Sequence, residues 1–205
     1  MQLQADMVNG EYQPGNYRQF IIRERKPRLI SAAPFRDRVV HHALMNQLEP
    51  VLEAGFYHHN YACRPGKGTH RAVDQYQRWA KRYAYVLKLD MARYFPSIRH
   101  GPLKQQLRRL LKDQSMLALC DRIIDNSPYD SPGVGLPIGN LTSQYFANLY
   151  LNDTDHWIKQ HLKAPAYLRY VDDLMLLGDD KAQLWNCRDH MIERLENLGL
   201  QLRPR

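Results

Sequence analysis

The sequence predicts an α+β fold in which helices flank an antiparallel sheet. Two short apolar runs enclose Asp172 and Asp173, a pattern typical of a β-hairpin with two carboxylates at its tip. A further apolar run at residues 84–89 predicts a strand that ends at Asp90. Between these strands, apolar residues recur at steps of three and four, which is the spacing of amphipathic helices.

The composition predicts one globular unit that binds a polyanion. A chain of 205 residues with 44% hydrophobic content can bury a core. Its net charge of +8 favours nucleic acid as the partner, ahead of an acidic membrane surface. No apolar run approaches the roughly 20 residues of a spanning helix, and the polar start lacks the apolar segment of a signal peptide. The three cysteines are far apart and indicate a reducing compartment, so we expect a cytoplasmic protein without a membrane partner.

Residues 17–33 predict a basic β-hairpin with its turn at 24–27. From residue 18 to residue 38 there are seven basic side chains and two acidic ones. This excess favours a flap whose cations, Arg36 among them, hold a triphosphate or a template backbone. The alternative is a solvated edge whose charges only prevent aggregation.

Two helices are predicted next, separated by a turn. The first follows Pro34 and is expected to end at Pro50. Residues 64–69 contain the glycines, lysine and threonine of a phosphate-binding loop, but not at its spacing, so they predict a turn with Thr69 as the N-cap of the second helix. Lys67 and Arg71 could still contact backbone phosphates.

The remainder of the chain predicts four more helices and a final strand. Helices are expected from near Pro102, over roughly 114–126, as a long segment opened by residues 136–140, and from 184 to a C-terminal cap at Gly199. Residues 200–202 predict the start of another strand.

The aspartates predict a metal site. Adjacent carboxylates in an apolar setting repel each other and lose hydration, and a divalent cation removes that cost. An ordinary turn is the alternative for an isolated Asp-Asp pair. Because Asp90 ends another strand, three carboxylates can hold two Mg²⁺ ions for in-line phosphoryl transfer.

Over residues 17–205 the chain resembles the reverse transcriptases. The resemblance is carried by three motifs in order: Lys-Leu-Asp-Met-Ala-Arg-Tyr-Phe around Asp90, Gly-Leu-Pro-Ile-Gly-Asn-Leu-Thr-Ser-Gln around Gly139, and Tyr-Val-Asp-Asp ending at Asp173. It implies a right-hand polymerase fold with fingers and palm, residues 1–83 mainly fingers and 84–205 mainly palm. The thumb that follows in this family is expected to be absent from the chain up to residue 205.

The resemblance also implies the roles of individual residues. Asp90 and Asp172 would hold both Mg²⁺ ions, Asp173 would complete the site, and the Met91 carbonyl would be a further ligand by analogy with the family. Phe95 would block a ribose 2′-hydroxyl, unless it is simply a core residue. Two further cations, Lys26 and Arg28, resemble those that hold the incoming triphosphate in the fingers.

Ile138 and Gly139 stand where many reverse transcriptases have Gln-Gly. The Ile-Gly-x-x-x-Ser-Gln form resembles the enzymes of diversity-generating retroelements, and an apolar Ile cannot supply the hydrogen bonds of a Gln amide to the nucleotide. Base-pair checking is therefore expected to be loose, and the resemblance implies cDNA synthesis with misincorporation opposite template adenines. Group II intron maturases, which the Arg-Pro-Gly at 64–66 resembles, and retron enzymes are the neighbouring possibilities.

The resemblance implies a magnesium-dependent RNA-directed DNA polymerase that uses an RNA template, a DNA or RNA primer and dNTPs, with a retroelement accessory protein as a candidate further partner. A non-catalytic RNA-binding scaffold derived from such an enzyme is one alternative, although all three aspartates are present. An RNA-directed RNA polymerase is the other. Phe95 and Val171 favour DNA synthesis because they match the reverse-transcriptase form.

Overall fold

The computed structural model describes residues 2–23 and 27–203. In chain order its helices and strands are α1 Gln2–Val8, β1 Arg18–Arg23, β2 Pro27–Ala32, α2 Phe35–Gly55, α3 Thr69–Ala80, β3 Tyr85–Ala92, α4 Tyr94–Ser97, α5 His100–Leu110, α6 Gln114–Asp125, α7 Leu141–Gln160, β4 Ala166–Tyr170, β5 Asp173–Gly178, α8 Lys181–Asn197 and β6 Gln201–Leu202. No helix among the described residues has the length and apolarity needed to cross a membrane.

The chain forms two compact units, and each combines two separate stretches of sequence. The first unit comprises Met1–Leu52 and Phe95–Phe146, and the second comprises Glu53–Tyr94 and Ala147–Arg205. The first contains the two-stranded sheet β1-β2, and the second contains a four-stranded sheet in the order β4-β5-β3-β6. The expected division into fingers and palm near residue 83 stays a prediction.

The predicted hairpin in the first unit is present. β1 and β2 are antiparallel and pair from Arg18 with Ala32 to Arg23 with Pro27. Residues 24–26 of the predicted turn, and with them Lys26, lie outside the described residues. The short helix α1 was not predicted, since none of its residues is buried and the sequence shows no apolar stripe there.

Pro50 does not end its helix as expected, because α2 continues through it to Gly55. A proline inside a helix removes one hydrogen bond and crowds the preceding turn. The buried side chains Leu48 and Leu52 lie on either side of Pro50, and both are almost fully excluded from solvent. Burial of this face compensates for the lost bond.

The sheet of the second unit is antiparallel throughout, as predicted. β3 runs two residues beyond Asp90, however, because Met91 and Ala92 pair with β6. Asp90 therefore lies inside a strand and not at its end. α3 packs on the sheet through a cluster of Tyr61, Ala72 and Leu168, with Tyr76 and Trp79 at its margin.

Thr69 is the first helical residue of α3 and not its cap. Gly68 occupies the N-cap position with a φ of 102°, a backbone conformation that glycine adopts far more readily than threonine. The Thr69 hydroxyl instead forms a hydrogen bond of 2.9 Å with the hydroxyl of Tyr170.

Candidate active site

The hairpin formed by β4 and β5 places Asp172 in a two-residue turn. Tyr170 pairs with Asp173, so only Val171 and Asp172 connect the two strands. Val171 has a φ of 54°, a left-handed conformation that is unfavourable for a β-branched side chain. Such strained residues persist where the surrounding structure holds them, and they are concentrated at functional sites.

The register between β3 and β5 brings Asp90 directly opposite Asp173. Side chains of directly opposed residues in antiparallel strands lie on the same face of the sheet, with Cβ atoms about 4.5–5.5 Å apart. Asp172 is the neighbour of Asp173 in the turn. The structure thus brings together the three aspartates that the sequence predicted, all within the second unit.

The electrostatics of Asp172 reflect this grouping. Burial raises the pKa of Asp172, and the negative charges of Asp90 and Asp173 raise it further, against the lowering effects of a backbone hydrogen bond and of Arg203. Desolvation and like charge both disfavour the carboxylate form. A cation bound among the three carboxylates would relieve both effects.

Two basic side chains pair with the outer carboxylates. Arg203 Nη1 lies 3.1 Å from Asp90 Oδ2, and Lys88 Nζ lies 3.1 Å from Asp173 Oδ1. All four side chains are at least one-third exposed, so each pair is weak and open to exchange. The position of Lys88 beside the aspartates could have been predicted, because alternate residues of β3 lie on the same face of the sheet. The position of Arg203 could not, because it depends on the pairing of β6 with β3, for which the sequence gives no signal.

The donor chemistry fits a hard divalent cation, since carboxylate oxygens are the ligands that Mg²⁺ takes in proteins. Over residues 2–23 and 27–203, no three His, Cys, Asp or Glu side chains are already arranged to hold a metal ion. Metal binding would accordingly require Asp90 and Asp173 to exchange Arg203 and Lys88 for the ion. The two Mg²⁺ ions stay a prediction, as does the role of the Met91 carbonyl next to Asp90; the Met91 residue itself is fully buried.

Ile138 and Gly139 lie against β2 in the first unit. The Ser31 N–H donates to the Ile138 carbonyl at 2.9 Å, and Gly139 has a φ of 113°. A Cβ at Gly139 would meet Ile30 Cγ2 at 2.8 Å. The strand that carries Arg28 and the segment that carries Ile138 are therefore in direct contact.

Asn140 joins the same two segments. Its side-chain amide donates to the Ser31 carbonyl at 2.9 Å and accepts from the Ala33 N–H at 3.3 Å. The Asn140 residue is buried, so these bonds hold β2 in place without competition from water. Asn140 was not predicted as a site residue, because its hydrogen-bond partners are more than one hundred residues away in the chain.

Phe95 lies in α4, belongs to the first unit and is half-buried, and it is not among the buried core residues. Its carbonyl accepts a hydrogen bond of 2.9 Å from the Leu136 N–H, which ties it to the segment preceding Ile138. The proposed role at the ribose stays a prediction.

The predicted phosphate-binding cations differ in their surroundings. Arg36 forms an exposed ion pair of 3.4 Å with Asp6 and lies over the ring of Tyr12. Lys67 donates to the His58 carbonyl at 2.7 Å, and burial lowers its pKa, with Arg64 also lowering it. Arg28 and Arg71 are exposed.

Comparison with protein families identifies one match over most of the chain. Residues 18–205 match the family model described as "Reverse transcriptase (RNA-dependent DNA polymerase)". "Protein YkfC" of Escherichia coli is 24% identical, and the match covers 98% of this chain and 64% of that protein. The "Group II intron-encoded protein LtrA" of Lactococcus lactis is 25% identical, over 75% of this chain and 27% of that protein. The chain thus spans less than two-thirds of the length of these relatives.

Solved structures show the same fold at low sequence identity. A telomerase from Candida albicans in complex with a fragment of telomeric RNA superposes with a TM-score of 0.73 at 13% identity, covering 94% of this chain and 41% of that one. The "Sicinivirus 3Dpol RNA dependent RNA polymerase" superposes with a TM-score of 0.58 at 16% identity, covering 99% and 48%. The α+β class with polymerase fingers and palm is confirmed.

Proposed function

This chain belongs to the reverse transcriptase (RNA-dependent DNA polymerase) family, and we propose on that premise that it copies an RNA template into DNA by metal-dependent nucleotidyl transfer. The observation that supports the proposal most strongly is the grouping of Asp90, Asp172 and Asp173. Register places Asp90 opposite Asp173, and the charges of both contribute to the raised pKa of Asp172. The grouping supplies the negative potential that a two-ion site requires.

The proposed reaction is an in-line displacement. The primer 3′-oxygen attacks the α-phosphorus of a dNTP, the bond from that phosphorus to the bridging oxygen breaks, and pyrophosphate leaves with the electron pair. Mg²⁺ bound at Asp90, Asp172 and Asp173 would lower the pKa of the attacking hydroxyl and neutralise charge on the leaving group. Lys26 and Arg28 would bind the triphosphate, and Phe95 would exclude a ribose 2′-hydroxyl by a steric clash.

The template would be held by basic side chains exposed on the surface. Arg36 is exposed in the first unit, and in the second unit Arg71 is exposed and Lys67 is half-buried. Such side chains bind backbone phosphates with an affinity that falls as salt rises. An RNA template, a DNA or RNA primer and dNTPs are the partners we propose, with a retroelement accessory protein as a possible addition and the cytoplasm as the compartment.

The subclass is proposed as a diversity-generating or group II-like retroelement. Ile138 and Gly139 support the former by resemblance of sequence, and the similarity to the group II intron-encoded protein of Lactococcus lactis supports the latter. The genomic neighbourhood would distinguish the two subclasses. A paired template and variable repeat beside the gene would support a diversity-generating retroelement, and an intron RNA would support a group II-like element.

The experiment compares Asp172→Asn with Asp189→Asn in the full-length protein. Asp189 is exposed on α8 and pairs only with its neighbour Arg188 in the described structure, so it is a matched change of charge away from the site. Primer extension on a defined RNA is measured with dNTPs and, separately, with NTPs, and RNA affinity is measured in parallel. We expect Asp172→Asn to abolish synthesis and to retain RNA binding, and Asp189→Asn to retain both.

Each alternative has its own outcome in this experiment. Equal synthesis by Asp172→Asn and the unmodified protein would refute the assignment of the site. RNA binding without extension by the unmodified protein would favour the scaffold. Extension with NTPs in preference to dNTPs would favour an RNA-directed RNA polymerase, whose fold is also similar.

A further inference from the structure

Arg169 is a buried charge immediately before the Tyr170-Val171-Asp172-Asp173 hairpin turn. Its side chain and that of its partner Asp155 are both 0% exposed, and their closest atoms, Nη2 and Oδ2, are 2.7 Å apart. Removing an ion pair completely from water is costly, and apolar residues in its place are often as stable. A buried pair at this position therefore calls for an explanation other than stability.

The guanidinium of Arg169 uses every donor that it has. Nε donates to Asp155 Oδ1 at 2.8 Å, and Nη2 donates to Asp155 Oδ2 at 2.7 Å and to the Asn148 carbonyl at 3.1 Å. Nη1 donates to Asn148 Oδ1 at 3.1 Å and to the Val171 carbonyl at 3.0 Å. Since arginine has five N–H groups in a rigid fork, this network fixes the guanidinium in one orientation.

The charge of Arg169 is secure in this environment. Burial alone lowers the pKa of Arg169, but the charge and hydrogen bonds of Asp155 outweigh burial and raise the pKa above its ordinary value. Tyr167 supports the acceptor, since its hydroxyl donates to Asp155 Oδ1 at 2.6 Å. The contact to Val171 is therefore made by a permanently charged and immobile donor.

The Val171 carbonyl belongs to the peptide unit that joins Val171 to Asp172. Its orientation constrains ψ of Val171, and that angle places the Cα atom of Asp172, from which the carboxylate projects. Val171 holds a φ of 54°, which a β-branched residue rarely adopts without external support. The bond from Arg169 supplies that support.

We propose that Arg169 is a positioning residue, whose Nη1 holds the Val171 carbonyl and thereby aims the Asp172 carboxylate at the reacting centre. This inference rests on the proposed function, which makes the three aspartates the site of nucleotidyl transfer. Asp155 and Asn148 act one step further back, since they hold the guanidinium and do not contact the turn in the bonds described.

The test uses Arg169→Lys with Tyr167→Phe as the matched control. Lysine keeps a positive charge beside Asp155, but its single ammonium cannot reach Asp155, Asn148 and the Val171 carbonyl together. Tyr167→Phe removes a buried hydrogen bond to the same Asp155 and leaves the bond from Arg169 to Val171 intact. Both variants are expected to lose thermal stability, so stability alone does not distinguish them.

Three measurements on the full-length protein separate positioning from support of the fold. We expect Arg169→Lys to speed amide hydrogen exchange in the turn at 171–173 and to weaken Mn²⁺ binding, followed by electron paramagnetic resonance, by about 10-fold or more. We expect kcat for primer extension to fall by about 100-fold, the scale of a misplacement near 1 Å, with the KM for dNTP little changed. Tyr167→Phe should stay near the unmodified protein in all three.

A second substitution tests whether the loss in Arg169→Lys comes from the backbone of the turn. Asparagine tolerates a positive φ better than valine does, so Val171→Asn should restore part of kcat and Mn²⁺ affinity in the Arg169→Lys background. If the unmodified protein makes DNA and Arg169→Lys matches Tyr167→Phe in kcat and Mn²⁺ affinity, Arg169 only supports the fold and the inference fails. Equal synthesis by Asp172→Asn and the unmodified protein would instead refute the proposed function. In that case amide hydrogen exchange and Mn²⁺ affinity would still decide whether Arg169 holds the turn.

Discussion

Replacing Gly139 with alanine should destabilise the first unit by more than its backbone conformation alone requires. Gly139 has a φ of 113°, and holding a non-glycine residue in such a conformation costs about 1–3 kcal/mol. The new Cβ would lie 2.8 Å from Ile30 Cγ2, closer than two carbons can approach. Relieving that overlap adds about 1–3 kcal/mol, so we expect a total loss of about 2–5 kcal/mol.

The overlap is difficult to avoid because both partners are tied down. Ile30 Cγ2 is attached to the Cβ atom and cannot swing away as the end of a long side chain can. The backbone of the next residue, Ser31, forms two hydrogen bonds. Its N–H donates to the Ile138 carbonyl, and its carbonyl accepts from the side-chain amide of Asn140. Moving β2 away from Gly139 would break these bonds.

The assay is urea unfolding at equilibrium, with Gly133→Ala as the control. Gly133 also has a positive φ, 73°, but no atom lies within 4 Å of the position of a new Cβ. Gly133→Ala should therefore show the backbone cost alone, about 1–2 kcal/mol. Ile30→Ala, which removes Cγ2, should recover part of the loss in combination with Gly139→Ala, as a positive coupling energy. Equal losses for the two glycine variants, with no coupling to Ile30, would refute the close packing of β2 on Gly139.

Three further predictions concern pH, sugar choice and fidelity. Burial lowers the pKa of His41 to about 4, against the opposing charge of Asp37. The contribution of neutral His41 to the free energy of unfolding is therefore complete above the unfolded pKa of about 6.5 and is lost as pH falls through 4, up to about 3 kcal/mol. His41→Gln should flatten the pH dependence of the free energy of unfolding between these pH values, and an unchanged slope would contradict the assignment. Phe95→Val should raise ribonucleotide incorporation, and the same deoxy-to-ribo preference in both proteins would return Phe95 to a purely structural role. Ile138→Gln should lower misincorporation by roughly five- to thirtyfold for one regained hydrogen bond, most visibly opposite template adenine. The error rate is measured by sequencing cDNA copied from a defined RNA. Indistinguishable error spectra of the two proteins would show that Ile138 only packs against its neighbours.

The sequence by itself determined most of the helices and strands. Local sequence patterns were enough for the Asp172-Asp173 hairpin, the apolar strand leading to Asp90 and the long helix after residue 140. In each of them, residues close in the chain set the spacing of the apolar positions and the residues that end the element. The three motifs were also sufficient to indicate the reverse transcriptase family, which the family comparison confirmed.

Only the tertiary structure decided which distant residues meet. The register that sets Asp90 opposite Asp173, the bonds from Asn140 to β2 across 109 positions, and the approach of Arg203 to Asp90 have no local signal. Pro50 was misjudged for the same reason, since burial of Leu48 and Leu52 outweighs a local helix-breaking preference. Arg169 shows the limit most clearly, because only the burial of Asp155 beside it creates a fixed donor to the Val171 carbonyl. Periodicity depends on nearest neighbours in the chain, whereas register, burial and charge pairing depend on how the whole chain packs.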